Sequence, residues 1–245
     1  MKKFLEEWEK QQNSLIERRE ERFSFMFEIT RNLGFTVRNI LDLGCGPGSL
    51  SIRASHEFPD ANIFAVDFDP VLLKLARFGC QGKRIEVVEG NLAGDTWNST
   101  LEGIKFDAVL STTALHWISY PDLKRLYSKI FSMMSESSVF LDGDHFHSIH
   151  ENESINKRYE EIRNKISIAE LRKSSALDWD KWWDMIRESN EFSKEIQERG
   201  MRYGSGAHDQ GLSLEDHITL LKNAGFEKID LAWKYLDNCV LMAIK

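Results

Sequence analysis

Cysteine, proline and positive charge are all scarce in this chain, and each scarcity closes off a class of protein. The three cysteines, Cys45, Cys80 and Cys239, are odd in number and far apart. They make no C-x-x-C pair and no disulfide framework, which excludes a zinc knuckle and a small stapled secreted domain. All three read as reduced thiols. Only four prolines occur in 245 residues, with 42% hydrophobic and 29% charged residues. That composition argues against long disorder and is sufficient for a real core. No apolar run reaches the ~18 residues of a membrane helix. The start, MKKFLEEWEK, turns acidic at once and has no apolar stretch after its two lysines, so no signal peptide, no membrane contact and a cytoplasmic location are expected. Lys and Arg number 32 against 39 Asp and Glu, a net charge of -7 without a long basic run. Nucleic acid is therefore an unfavoured partner.

What the chain does contain is concentrated in eleven residues, Ile40-Leu41-Asp42-Leu43-Gly44-Cys45-Gly46-Pro47-Gly48-Ser49-Leu50. An apolar run meets three alternating glycines and then apolar residues at helical spacing: a buried strand, a tight turn and a helix start. Glycines let the backbone take positive φ and let a ligand approach with no Cβ in the way. The turn's N–H groups and the positive end of the helix dipole then face that ligand. A dinucleotide fingerprint requires G-x-G-x-x-G. Here the spacing is G-x-G-x-G, with Ser49 at the position of the third glycine. The string resembles the first motif of the class I S-adenosylmethionine-dependent methyltransferases, a hydrophobic residue followed by Leu-Asp-Leu-Gly-Cys-Gly-x-Gly.

The wider pattern is α/β. Strands are expected at Arg38–Leu43, Asn62–Asp67, Arg84–Glu89, Phe106–Ser111 and Ser138–Asp142, with amphipathic helices at Leu50–Phe58, Pro70–Phe78 and Pro121–Met134. Such alternation gives a parallel sheet with right-handed crossovers. Residues 1–35 read as one or two covering helices. Residues 149–212 break the rhythm as a helical insertion containing Trp179, Trp182 and Trp183, either a lid over the substrate or a small core of its own. Ser213 caps a further helix that runs to Gly225. Lys228–Leu236 and Cys239–Ile244 then form a hairpin around Asp237-Asn238. An antiparallel hairpin closing a parallel sheet is a second resemblance to the same family. It implies a single domain over residues 1–245 with a seven-stranded Rossmann-like methyltransferase sheet, mostly parallel, with helices on both faces. The two resemblances cover roughly residues 37–148 and 213–245.

Ligands of open parallel sheets sit beyond the carboxyl ends of the strands. By resemblance, Asp42 and the loop of Gly44, Cys45, Gly46 and Gly48 receive the methionine part of S-adenosylmethionine. Asp67 matches the family's ribose-binding acid and Phe68 its adenine platform, while Asp69-Pro70 looks like a helix cap. Asn91, beside Leu92, stands where the family usually has an acid that accepts from the adenine amino group; an amide oxygen can still accept. Ser111 and Thr112 are expected beside the sulfonium. The following Ala114-Leu115-His116-Trp117 is similar to the trans-aconitate methyltransferase-like branch, which implies a small-molecule acceptor.

Methyl transfer from a sulfonium is an in-line displacement that needs alignment and, for a protonated acceptor, a base. His116 suits that base, because histidine's unperturbed pKa lies near neutrality. A loop-packing role beside Trp117 is the alternative. Trp117, His145 and Arg202 are the residues read as facing the acceptor, Arg202 because an acidic acceptor requires an arginine. Asp142, Asp144, His145, His147 and His150 resemble a metal-ligand run, but no further spaced ligand completes it and no metal is expected. The expectation is therefore an enzyme methylating a small molecule. RNA or protein methylation, or cofactor binding without catalysis, are the alternatives.

Overall fold

The computed structural model describes residues 1–34, 36–146, 153–203 and 210–245. Two helices, α1 (Lys2–Leu15) and α2 (Arg19–Asn32), precede the first strand, β1 (Asn39–Leu43). The alternating segment follows as α3 (Ser49–Glu57), β2 (Asn62–Asp67), α4 (Pro70–Gly79), β3 (Ile85–Glu89), β4 (Phe106–Thr112), α5 (Tyr120–Met133) and β5 (Met134–His145). The insertion contributes α6 (Glu153–Ser174), α7 (Trp179–Arg187) and α8 (Ser193–Tyr203). The chain then ends with α9 (Leu214–Ala224), β6 (Lys228–Tyr235) and β7 (Asn238–Ile244).

The seven strands form one sheet in the order β3-β2-β1-β4-β5-β7-β6. β1 to β5 are mutually parallel, and β7 runs antiparallel between β5 and β6. The mostly parallel sheet with its antiparallel closing hairpin is the architecture expected from the sequence. β1 is covered on both faces, with Ile40, Leu41 and Leu43 fully buried, which explains its unbroken apolar run. One core, centred on Leu43, Val109, Tyr127, Phe140 and Leu221, lies under α5 and α9. A second, with Phe23, Met26, Leu50 and Leu141, lies under α2 and α3. The tryptophans build a third: Trp182 and Trp183 pack with Phe4, Trp8 and Phe192, and Trp182 Nε1 donates to Phe4 O at 3.1 Å.

Two helix ends follow from local chemistry. Asp69 caps α4 by accepting from Val71 N and Leu72 N at 2.9 and 3.2 Å, with Pro70 in the first turn. Ser213 and Asp216 form a reciprocal capping box on α9. That helix stops at Gly225, whose φ is +114° and where an added Cβ would lie 3.0 Å from two carbons of the Phe131 ring. Gly225→Ala combines a left-handed backbone with overpacking, so a loss of about 2–4 kcal/mol is expected. Urea unfolding measures it, and an unchanged midpoint would contradict this packing.

Most element ends lie within a residue or two of the sequence expectation, and three differences have consequences. β5 extends to His145, which carries Asp144 into the sheet. It also begins directly after α5, and its pairing with β4 shifts between Phe106 and Ala108. The hairpin turn is Leu236-Asp237, one residue earlier than expected, with Tyr235 opposite Asn238. Asn238 is drawn into the strand because its buried amide accepts from Arg22 Nη1 and donates to Glu17 O, both at 2.7 Å.

Candidate functional site

The strand order reverses at β1, which has β2 on one side and β4 on the other. Ligand crevices in such sheets open at the carboxyl ends beside that point. The glycine turn lies there. Gly44, Gly46 and Gly48 have φ of +70°, +55° and +91°, and Gly44 N and Cys45 N donate to Val66 O at 2.8 and 3.0 Å. At Gly44 a Cβ would fall 2.3 Å from Ala114 Cβ, so glycine is obligatory where the β1 and β4 loops meet. Burial pushes the Cys45 thiol well up, which keeps it an unreactive thiol.

Two carboxylates frame this turn. Asp67 accepts from Gly46 N at 2.7 Å, Phe68 N at 2.7 Å and Asp69 N at 2.8 Å. Burial nevertheless raises its carboxyl above the usual range. Asp42 is 1% exposed. One of its oxygens accepts from Ser51 Oγ at 2.5 Å, and the other is buried with no hydrogen-bond partner. Burial lifts the Asp42 carboxyl to about 7, with the charge of Asp67 adding to the rise. A buried unsatisfied acceptor beside a glycine turn fits a cofactor that carries positive charge.

The Asp42 shift has a stability consequence. Between about pH 4 and 7 the folded chain holds a proton that the unfolded chain has released, so this contribution is present at low pH and lost as pH rises to 7. A difference of about 3 pH units corresponds to about 4 kcal/mol. Asp42→Asn is therefore expected to flatten the melting-temperature profile between pH 4 and 7 and to stabilise the protein at pH 8. Parallel profiles for the two proteins would contradict it.

α1 roofs the glycine turn. A Cβ on Gly46 would come within 3.9 Å of the Trp8 ring. Glu9 accepts from Ser49 Oγ, from Arg19 at 2.9 Å and from Arg53 at 2.8 Å. Burial works to raise the Glu9 carboxyl, but Arg19 and its neighbours outweigh that and hold it near 2.

The ends of β4, β5 and β7 form a second, polar half of the crevice. His116 Nδ1 lies 2.8 and 3.0 Å from the Asp144 carboxylate oxygens, with Asp144 almost wholly buried. Burial favours a protonated Asp144, yet the charge and hydrogen bond of His116 prevail and keep its carboxyl near 2. Burial, reinforced by the charge of Asp144, drives the neighbouring Asp142 carboxyl well above the usual range. Arg22 enters from α2 fully buried, donating to Thr112 Oγ1 and to Asn238 Oδ1. Its Nε has no partner, and burial lowers the guanidinium to about 10. His145 Nε2 lies 3.2 Å from Glu17 Oε2.

The other residues singled out from the sequence are placed as follows. Ser111 is buried and donates to Leu43 O at 3.1 Å, tying β4 to β1. Thr112 is half-buried and meets Arg22. Asn91 is exposed, and its side-chain oxygen accepts from Ala93 N at 3.1 Å, while Leu92 packs against the core. Trp117 is 46% exposed, its ring 4.5 Å from that of His116. Arg202 reaches the ends of β2 and β3, where it donates to Phe68 O at 2.6 Å and pairs with Glu89. Its partners thus lie at the ends of β2 and β3, whereas the sequence reading set it against the acceptor. His147 and His150 lie outside the described residues. Among the described residues no cluster of three or more His, Cys, Asp or Glu is arranged to hold a metal, and no helix is long and apolar enough to cross a membrane.

Arg22 and Asp144 were not selected as site residues from the sequence. A signal for Arg22 exists, because it shares the helical face of Arg19, Phe23, Met26 and Thr30, all buried. An arginine on the apolar side of a helix is rarely tolerated without a polar partner.

Residues 40–137 match the family described as a methyltransferase domain. The matched segment holds the glycine turn and β1 to β4, so the part of the chain that lines the crevice is similar to a methyltransferase domain. Among curated proteins, the chain is 36% identical over 109 residues to a trans-aconitate 2-methyltransferase of Mycobacterium ulcerans, covering 44% of this chain and 38% of that protein. It is 27% identical over 135 residues to a malonyl-[acyl-carrier protein] O-methyltransferase of Bacillus anthracis, covering 54% and 48%. The matched stretch thus spans less than half the length of either relative. Among solved structures, human N-acetylserotonin methyltransferase in complex with its S-adenosylmethionine cofactor has a TM-score of 0.50 at 17% identity, covering 92% of this chain and 56% of that one. The S-adenosylmethionine-dependent methyltransferase SibL in its apo form has a TM-score of 0.56 at 14% identity, covering 85% and 50%. Likeness at this level shows the shared fold.

Proposed function

We propose that this protein transfers the methyl group of S-adenosylmethionine to a small-molecule acceptor bearing an O–H or N–H group, with residues 1–245 acting as one domain in the cytoplasm. The observation that carries this reading is the pairing of the glycine turn and Asp67 with the His116–Asp144 couple at the same sheet edge. When bound, the cofactor supplies an electrophilic methyl group on a positively charged sulfur. Asp42 and Asp67 favour that positive charge, and the backbone of Gly44–Gly48 holds its amino-acid end. Asp144 accepts the Nδ1 proton of His116, which makes Nε2 the basic atom of the ring. His116 takes the acceptor's proton, and the ionised Asp144 stabilises the imidazolium that forms. Alignment of acceptor and methyl in a site shielded by α1 and α2 can supply ~7–11 kcal/mol.

The small-molecule assignment is supported by the names of the matched relatives and by the acidic net charge, which disfavours a phosphate backbone. In this reading residues 1–35 cover the site, and the 149–212 insertion completes its closure. Incubation with isotopically labelled S-adenosylmethionine and a cell metabolite extract, read by mass spectrometry, is expected to yield a labelled small molecule. Label confined to RNA or protein, or tight cofactor binding with no transfer at all, would overturn the assignment.

A further inference from the structure

α8 is attached to the domain in an unusual way. None of its residues is fully buried, and Met201 is 74% exposed. The preceding α7 is anchored by the buried Trp182, Trp183 and Ile186, and Phe192 just before α8 is also fully buried. A helix held at its start, with Ile196 packing only partly against the core, belongs to the low-stability part of a fold, where local opening is cheap.

Near its start α8 is held on α4 and the tryptophan core, with Glu195 paired to Lys74 at 3.0 Å and Ile196 packed against that core. The polar contacts of its last turns instead meet the carboxyl end of β2 and the neighbouring end of β3. Arg199 Nε lies 2.5 Å from Asp69 Oδ2. Arg202 donates to Phe68 O, pairs with Glu89 at the end of β3, and sets its guanidinium 4.6 Å from the centroid of the Phe68 ring. Tyr203 meets the same ring edge-on at 5.9 Å. Burial raises the Tyr203 phenol, and the charges of Asp69 and Asp67 add to the rise. Phe68 is thus gripped through its carbonyl, its face and its edge by two consecutive residues of a helix more than 130 positions away.

Resting on the function proposed above, we infer that α8 is a clamp on the nucleoside end of the cofactor site, with Arg202 and Tyr203 as positioning residues that fix Phe68 against the adenosine. The insertion then divides its work, with α8 serving the cofactor. Cofactor release requires α8 to lift, because its last turn lies on the side chain and carbonyl of Phe68. Cation–π and ion-pair contacts of this partly exposed kind are each modest. Losing Arg202 therefore loosens the site without unfolding the domain.

The test uses the full chain and S-adenosylhomocysteine as probe, with affinity by calorimetry and dissociation by stopped-flow. Arg202→Gln is expected to weaken binding about tenfold, mostly through faster dissociation, and to weaken adenosine by a similar factor. On a Phe68→Ala background the same change is expected to cost less than about twofold, because the two residues act through one contact. Equal or tighter binding by Arg202→Gln, or full additivity with Phe68→Ala, overturns the clamp while wild-type binding still upholds the proposed function. Absence of wild-type binding overturns both. Should Arg202→Gln lower the melting temperature of the ligand-free protein, hydrogen exchange on the wild type decides. Amides of residues 193–203 slowed by the probe support the clamp, and unchanged exchange there overturns it.

Discussion

His116→Ala is expected to lower kcat by about 10²–10⁴-fold, the range of a positioned general base, while cofactor affinity stays within about twofold. The expectation follows from the bond of His116 to a carboxylate that is ionised despite burial. The base must be neutral to accept a proton, so wild-type turnover rises with pH along an acid limb, and this limb disappears in the variant. Removing His116 also leaves the Asp144 carboxyl without the partner that keeps its pKa near 2. Breaking a buried charged pair by removing one partner costs about 3–5 kcal/mol, so the single variant is expected to melt lower. The double variant His116→Ala/Asp144→Ala removes that charge and should regain stability without regaining turnover. Wild-type turnover in His116→Ala would eliminate the histidine as base and leave it a packing residue beside Trp117.

Asp67→Ala is expected to weaken S-adenosylhomocysteine binding by more than tenfold. Three backbone N–H groups, including Gly46 N of the glycine turn, converge on this carboxylate. Hydrogen bonds to a charged group are worth about 1.5–3 kcal/mol each, so its loss frees the turn and, in the proposed site, also removes an acceptor for the ribose hydroxyls. Asp67→Asn retains an acceptor oxygen and should lose less. Calorimetry that finds Asp67→Ala equal to wild type would remove the carboxylate from the cofactor site.

What could be read from the sequence was what is local. The strand–turn–helix at Ile40–Leu50 is written in one contiguous stretch, and the cap at Asp69 and the capping box at Ser213 each depend on residues within three positions of one another. The closing hairpin was equally readable, since its apolar runs are contiguous, although its turn moved by one residue. That shift comes from Asn238, whose partners Arg22 and Glu17 lie more than 200 positions away. The polar half of the crevice was harder for the same reason. Arg22 meets Thr112 across 90 positions, and Asp144 enters only because β5 runs three residues past its expected end. The pairing of His116 with Asp144 spans 28 positions and two strand ends. Arg202 shows the limit most clearly: its charge was evident, but which strand ends the insertion crosses is decided by the docking of α7 on α1 and of α8 on α4, which no local pattern encodes.

The central claim is that the turn at Gly44–Gly48 holds the amino-acid end of a sulfonium nucleoside. Calorimetric titration of the wild-type chain with S-adenosylmethionine, in parallel with a nicotinamide dinucleotide, tests it most directly. The account predicts saturable one-to-one binding of the first and none of the second. Heat from the nicotinamide dinucleotide with none from S-adenosylmethionine would contradict it.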